Sequence, residues 1–98
     1  MVRISFFRTF GDKADVSTRD LPCLVGRSAE CAFQPSSESV SRQHAEFRFD
    51  GSNLVLADLN SRNGTFVNGT RVCGVTSVPS GAKVRFADCE YEVIVVGR

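Results

Sequence analysis

The sequence is short of what marks several common functions. No stretch of its 98 residues approaches the run of about eighteen apolar residues that signals a membrane-spanning helix. The opening "MVRISFFRTF" has neither the long apolar run nor the small-residue cleavage site of a signal peptide. Its formal net charge is +1, with acidic and basic residues interspersed, so it lacks the one-signed field that drives nucleic-acid binding. The four cysteines, Cys23, Cys31, Cys73 and Cys89, include no C-x-x-C pair that would suggest zinc. Without a secretion signal they read as reduced core or edge residues rather than disulfide partners. Internal repeats, low-complexity tracts and linkers are also missing. These absences describe a soluble, intracellular chain with no membrane or nucleic-acid partner, no metal and no cofactor.

What is present suits one domain over residues 1–98. At 98 residues and 42% hydrophobic content, the chain has apolar side chains enough for a single core. Wherever it is apolar it alternates. Val2, Ile4 and Phe6 stand against Arg3, Ser5 and Phe7, and Ala45, Phe47 and Phe49 against Glu46, Arg48 and Asp50. Near the end, Val84 and Phe86 stand against Lys83 and Arg85, and Tyr91, Val93 and Val95 against Glu90, Glu92 and Ile94. A period of two is the signature of half-buried strands. Tyr91 and the eight phenylalanines read as core by default. The last strand ends almost at Arg98, as in a domain cut from a larger protein.

Turn signals fall at short intervals, in Gly11-Asp12, Asp50-Gly51, Asn63-Gly64, Asn68-Gly69, Cys73-Gly74 and Pro79-Ser80-Gly81. Many short strands joined by tight turns predict an all-β sandwich or barrel. In "TFVNGTRV", Asn68-Gly69 suits a two-residue type I′ hairpin.

The single histidine raises the question of catalysis, because Ser41 precedes His44 by three residues. On a helix the two would share a face, but "SSESVS" is rich in cap and turn formers, and strand alternation follows at once. On a straight strand, positions three apart point to opposite faces. No residue to orient the histidine, no oxyanion hole and no G-x-S-x-G elbow is recognisable, so a serine hydrolase is set aside. Near a strand start, His44 is instead placed to fold back and bond loop backbone groups.

A different constellation stands out at predicted strand ends: Gly26-Arg27, Ser41-Arg42, and Ser61-Arg62-Asn63-Gly64-Thr65. Loops on a rigid sandwich are where binding residues collect. These supply guanidinium, hydroxyl and amide donors to a dianion. All but two of the twelve basic residues are arginine, the exceptions being Lys13 and Lys83, and arginine's planar fork suits phosphate or carboxylate. Each residue also has a plainer role open to it. Arg27 suits an ion pair, Ser41 a turn cap, Arg42 a solvated charge, and Asn63 a turn.

The ordered series G-R, S-x-x-H, S-x-N-G-T and N-G is met by Gly26-Arg27, Ser41 to His44, Ser61 to Thr65, and Asn68-Gly69. It resembles the forkhead-associated (FHA) domain, with correct order and spacing over residues 26 to 69. The resemblance implies a sandwich of two mainly antiparallel sheets, about eleven strands, with binding loops at one end. It also implies a monomer that binds a phosphothreonine-containing protein or peptide without catalysis. By that likeness Arg27 and Ser41 bind phosphate, Arg42 adds a charge or peptide contact, and Asn63 bonds the peptide backbone. Gly26, His44, Gly64, Asn68 and the adjoining Gly69 shape the loops. Arg62 departs from the family, many members of which carry a small hydroxyl residue there. Its roles as a phosphate ligand, an ion-pair partner or a solvated charge stay open.

The likeness places flanking-residue preferences in Ser36 to Val40 and Cys73 to Ser77, and it favours a nuclear address over a cytoplasmic one. The alternative is an FHA-like scaffold that binds partners, or itself, independently of phosphate. In that case Val55, Ala57 and Leu59 would stand opposite Leu54 and Leu56 on a two-sided apolar strand.

Overall fold

The alternating stretches form strands. A computed structural model describes residues 2–8, 13–17, 21–51 and 53–97. Among them are ten strands and no helix: β1 (Val2–Arg8), β2 (Lys13–Ser17), β3 (Cys23–Val25), β4 (Ala45–Phe49) and β5 (Leu54–Asp58), then β6 (Thr65–Val67), β7 (Thr70–Arg71), β8 (Val75–Ser77), β9 (Ala82–Phe86) and β10 (Cys89–Gly97). They pair antiparallel into a six-stranded sheet, ordered β2-β1-β10-β9-β6-β7, and a four-stranded sheet, ordered β3-β4-β5-β8. The first and last strands pair in register from Val2↔Gly97 to Arg8↔Tyr91.

The count is ten rather than the implied eleven. A further segment at Phe33 makes only an isolated parallel bridge to Val25. Two residues on stands Pro35, which has no N–H to offer a ladder.

Residues of both sheets fill one core. Val25, Ala45, Phe47 and Leu56 come from the four-stranded sheet, and Val84, Phe86, Cys89 and Val93 from the six-stranded sheet, all with essentially no exposure. Each fully buried large apolar side chain contributes about 1.5–3 kcal/mol relative to exposure. Phe86 is the hub. Its ring centroid lies 6.0 Å from Phe47, 6.3 Å from Phe33, 6.2 Å from Tyr91 and 5.9 Å from His44, the first, second and fourth of these edge-to-face.

Two sequence expectations need adjustment here. Phe66 is not a core residue, because it is half-buried with the Arg85 guanidinium 3.9 Å from its ring centroid. Phe49 is half-buried too, while the side chains of Phe6, Phe7 and Phe10 lie outside the described residues, as does the Gly11-Asp12 turn. On β5, Leu54 and Leu56 enter the core and Ala57 is also buried. Val55 is half-buried across from Arg48, which pairs with Glu46 at 2.7 Å. Among the described residues Val75, 54% exposed, is the one exposed large hydrophobic.

The β6–β7 turn has Asn68 at φ 50° and Gly69 at φ 85°, the positive pair that a type I′ hairpin requires. Asn68 also pins the hairpin to β9: its N–H donates to the Lys83 carbonyl at 2.7 Å, and its Oδ1 accepts from the Lys83 N–H at 2.9 Å.

Truncating the hub is expected to be costly. Phe86→Ala should lower the unfolding free energy by about 3–5 kcal/mol, read as a shift in the denaturant midpoint at unchanged slope.

Candidate functional site

At one end of the sandwich the chain leaves β3 and passes directly against a second loop. Arg27 N–H donates to the Ser41 carbonyl and Ser28 N–H to the Arg42 carbonyl, both at 3.1 Å, while His44 N–H donates back to Val25 at 2.8 Å. The approach is closest at Gly26. A Cβ there would lie 2.1 Å from the Arg42 carbonyl oxygen and 2.9 Å from that of Ser41. Only glycine lets the two backbones meet, and their meeting sets Arg27 beside Ser41 and Arg42.

His44 ties this pair of loops to a third. Its side chain is fully buried. Nδ1 accepts the Ser41 N–H at 2.9 Å, so the neutral ring carries its proton on Nε2 and donates it to the Gly64 carbonyl at 2.8 Å. With both ring nitrogens taken by backbone, none is left for the Ser41 hydroxyl, and the two do not form a nucleophile and base. The Ser41 Oγ instead accepts the Arg62 N–H at 3.1 Å, and among the described residues its own proton has no acceptor.

The third loop, residues 59–64, is organised by a carboxylate. Asp58 accepts the Ser61 hydroxyl at 2.6 Å, the Ser61 N–H at 3.1 Å and the Thr65 hydroxyl at 2.7 Å. Ser61 Oγ in turn accepts the Gly64 N–H at 3.1 Å. Asn60, at φ 62°, takes the left-handed turn conformation that asparagine tolerates. Burial works to raise the Asp58 carboxyl, but the hydrogen bonds from Ser61 and Thr65 outweigh it and hold it below its ordinary value. Asn63 bridges the loops, its amide donating to the Ser39 carbonyl at 2.7 Å.

The fold thus brings Arg27, Ser41, Arg42, Arg62 and Asn63 to one set of loops, with Gly26, His44 and Gly64 beneath them. All of the first five are exposed except Ser41, which is half-buried. Arg27 is steadied through its Nε, which donates to the Val40 carbonyl. Among the described residues, the guanidiniums of Arg27, Arg42 and Arg62 have no carboxylate partner. Behind Arg42, the buried Cys31 thiol donates to its carbonyl at 3.2 Å, and burial pushes that thiol up. Glu30, lowered by the Ser28 hydroxyl and then by Gln43, fastens those two side chains together. Asn68 and Gly69 are not in this group, since Asn68 holds the hairpin to β9 and Gly69 supplies the second positive φ of its turn.

Asp58 is the residue that sequence reasoning missed. Its signal was its place three residues before Ser61, the spacing at which an Asp side chain caps backbone N–H groups.

An antiparallel sandwich that gathers a serine hydroxyl and three arginines, without carboxylate partners among the described residues, on neighbouring loops has the frame of a loop-borne recognition module. The chain belongs to the FHA domain family, whose family model matches residues 23–87. It is similar to FhaA of Mycobacterium tuberculosis strain H37Rv, with 47% identity over 49 residues, 50% of this chain and 9% of that protein. FhaB of the same species matches at 29% identity over 80 residues, 82% of this chain. The chain spans only 52% of FhaB's length.

Among solved structures, a domain from work on phosphothreonine-dependent FHA domain interactions superposes with a TM-score of 0.83. It shares 31% identity, with 99% of this chain and 98% of the other covered. The FhaA FHA domain complexed with the intracellular domain of Rv3910 gives 0.77 at 32% identity, covering 98% and 100%. These relatives correct one expectation: FhaA and FhaB are mycobacterial proteins, and bacteria have no nucleus, so the nuclear address falls.

Two substitutions probe the frame. Gly26→Ala should lower stability by about 1–3 kcal/mol through overpacking, read as a fall in Tm. Asp58→Asn should flatten the acid limb of stability. A carboxyl depressed on folding stabilises fully above its unfolded value, near pH 4, and that contribution is lost as pH falls through the folded value. The Tm gap between wild type and Asp58→Asn should therefore narrow steadily below about pH 4.

Proposed function

We propose that this chain is a phosphothreonine-dependent peptide-binding module that joins proteins when one of them is phosphorylated, and that it performs no catalysis of its own. The observation that carries this is that three arginines, without carboxylate partners among the described residues, sit on the adjoining loops that present the Ser41 hydroxyl, whose oxygen accepts the Arg62 backbone N–H. A phosphate with nearly two negative charges offers three acceptor oxygens to such donors, and an unmodified threonine does not.

In this reading Arg27 and Ser41 hold the phosphate, with Arg42 and Arg62 adding charge. Asn63, whose Nδ2 is engaged with Ser39, turns its remaining amide capacity to the peptide backbone. Gly26, His44 and Gly64 keep these groups in place. An open groove of about 600 Å³ beside Arg27, lined also by Gln34, Pro35, Ser36, Ser37 and Glu38, receives neighbouring peptide residues. Support comes from the two solved FHA domains of similar sequence, one studied for phosphothreonine-dependent interactions and the other complexed with a protein domain.

Charge-assisted hydrogen bonds contribute roughly 1.5–3 kcal/mol each, and three or four of them give about 5–12 kcal/mol before association costs of at least about 4. With a few peptide contacts added, the expected affinity is about micromolar. Titration of a phosphothreonine peptide library should show such binding, its loss after phosphatase treatment, and at least about a tenfold loss in Arg27→Ala. Equal binding by the folded variant would sink the proposal.

A further inference from the structure

One arginine lies just outside the set assigned to phosphate. Arg71 stands on β7 directly across from Phe66 on β6. It is exposed, and its guanidinium has no hydrogen-bond or carboxylate partner among the described residues. Elsewhere on the surface, Arg48 pairs with Glu46 at 2.7 Å and Lys83 approaches Glu92 at 4.0 Å.

The position of Arg71 follows from a missing side chain. A Cβ on Gly64 would come 2.9 Å from Phe66 Cε1 and 3.4 Å from Arg71 Cζ, so the bare glycine lets the ring and the guanidinium lie against the turn that carries Asn63. The ring is also held by the Arg85 guanidinium at 3.9 Å, and Arg85 is tied to the Ala87 carbonyl. Arg71 is therefore kept beside the binding loop on a stiff support, against Gly64, which lies two residues along from Arg62, whose guanidinium likewise has no carboxylate partner among the described residues.

An uncompensated cation in such a place attracts a second negative charge. We propose that Arg71, with Arg62 across the Asn63–Gly64 turn, forms a second anionic subsite. The preferred partner then carries another carboxylate or phosphoryl group within about four residues of its phosphothreonine, the reach of a short extended segment. The inference rests on the phosphothreonine reading and adds to it a class of partner: acidic or multiply phosphorylated segments.

The test uses the 98-residue chain and fluorescence anisotropy with a labelled phosphothreonine peptide bearing neutral flanks. Glutamate is stepped singly through about four positions on each side, and phosphoserine then follows the same steps. In at least one register an added anion should tighten wild-type binding about threefold to tenfold, and the gain should shrink in about 0.5 M salt. A gain from glutamate and phosphoserine alike identifies a general anion site, and a gain from phosphoserine alone identifies a phosphoryl site. Arg71→Gln should abolish the gain while binding the neutral peptide within about twofold of wild type, and Arg71→Lys should retain part of it. An undiminished gain in folded Arg71→Gln, or no gain in any register, overturns the subsite and leaves the phosphothreonine reading intact. Failure of wild type to bind the neutral phosphopeptide overturns both.

Discussion

The binding end of this molecule depends on one steric fact: the backbone at Gly26 runs against the carbonyls of Ser41 and Arg42 with no room for a side chain between them. Backbone hydrogen bonding between the two segments goes on beyond β3 and β4, through Arg27 and Ser28, outside the strand ladder itself. Two segments more than a dozen residues apart in sequence become one rigid edge. Without that contact, Arg27 and Ser41 would each be a surface residue on a separate loop.

His44 and Asp58 extend the same frame. The histidine is a core residue by burial and by its edge-to-face contact with Phe86, yet both its nitrogens serve loop backbone. Packing and site geometry are therefore coupled through a single ring. Asp58 performs the complementary task from below, gathering two hydroxyls and an N–H so that the 59–64 loop is held in shape before any ligand arrives. Ordering costs that a flexible site would meet on binding are met on folding instead.

The strands were legible because one face of each is buried, and burial writes a period of two into the chain. That covers Ala45 to Phe49, Val84 to Phe86 and Tyr91 to Val95. The short β7 and β8 are mostly exposed and leave no such trace. Phe66 was misread for a related reason: alternation tells which residues share a face, and only the assembled sheet tells which face is wet. The arginines and Ser41 were visible as chemistry at strand ends. Asp58 was harder to see because its partners are hydroxyls and an N–H that converge only once the turn has formed. The role of Asn68 in holding the hairpin likewise needed the neighbouring strand β9, which lies about fifteen residues further along.

The hydrogen bonds that fasten the three loops to one another run overwhelmingly to main-chain atoms: the carbonyls of Val40, Ser41, Arg42, Gly64 and Ser39, and the N–H groups of Ser41 and Arg62. Few side chains take part in this fastening, the Arg27 Nε, the Ser41 hydroxyl, the His44 ring and the Asn63 amide among them. Side chains such as Ser36, Glu38 and Arg62 can be exchanged without loosening the frame, since every amino acid but proline brings the same carbonyl and N–H to its position. A fold built this way is a socket with interchangeable contacts, in which a new specificity requires no new architecture.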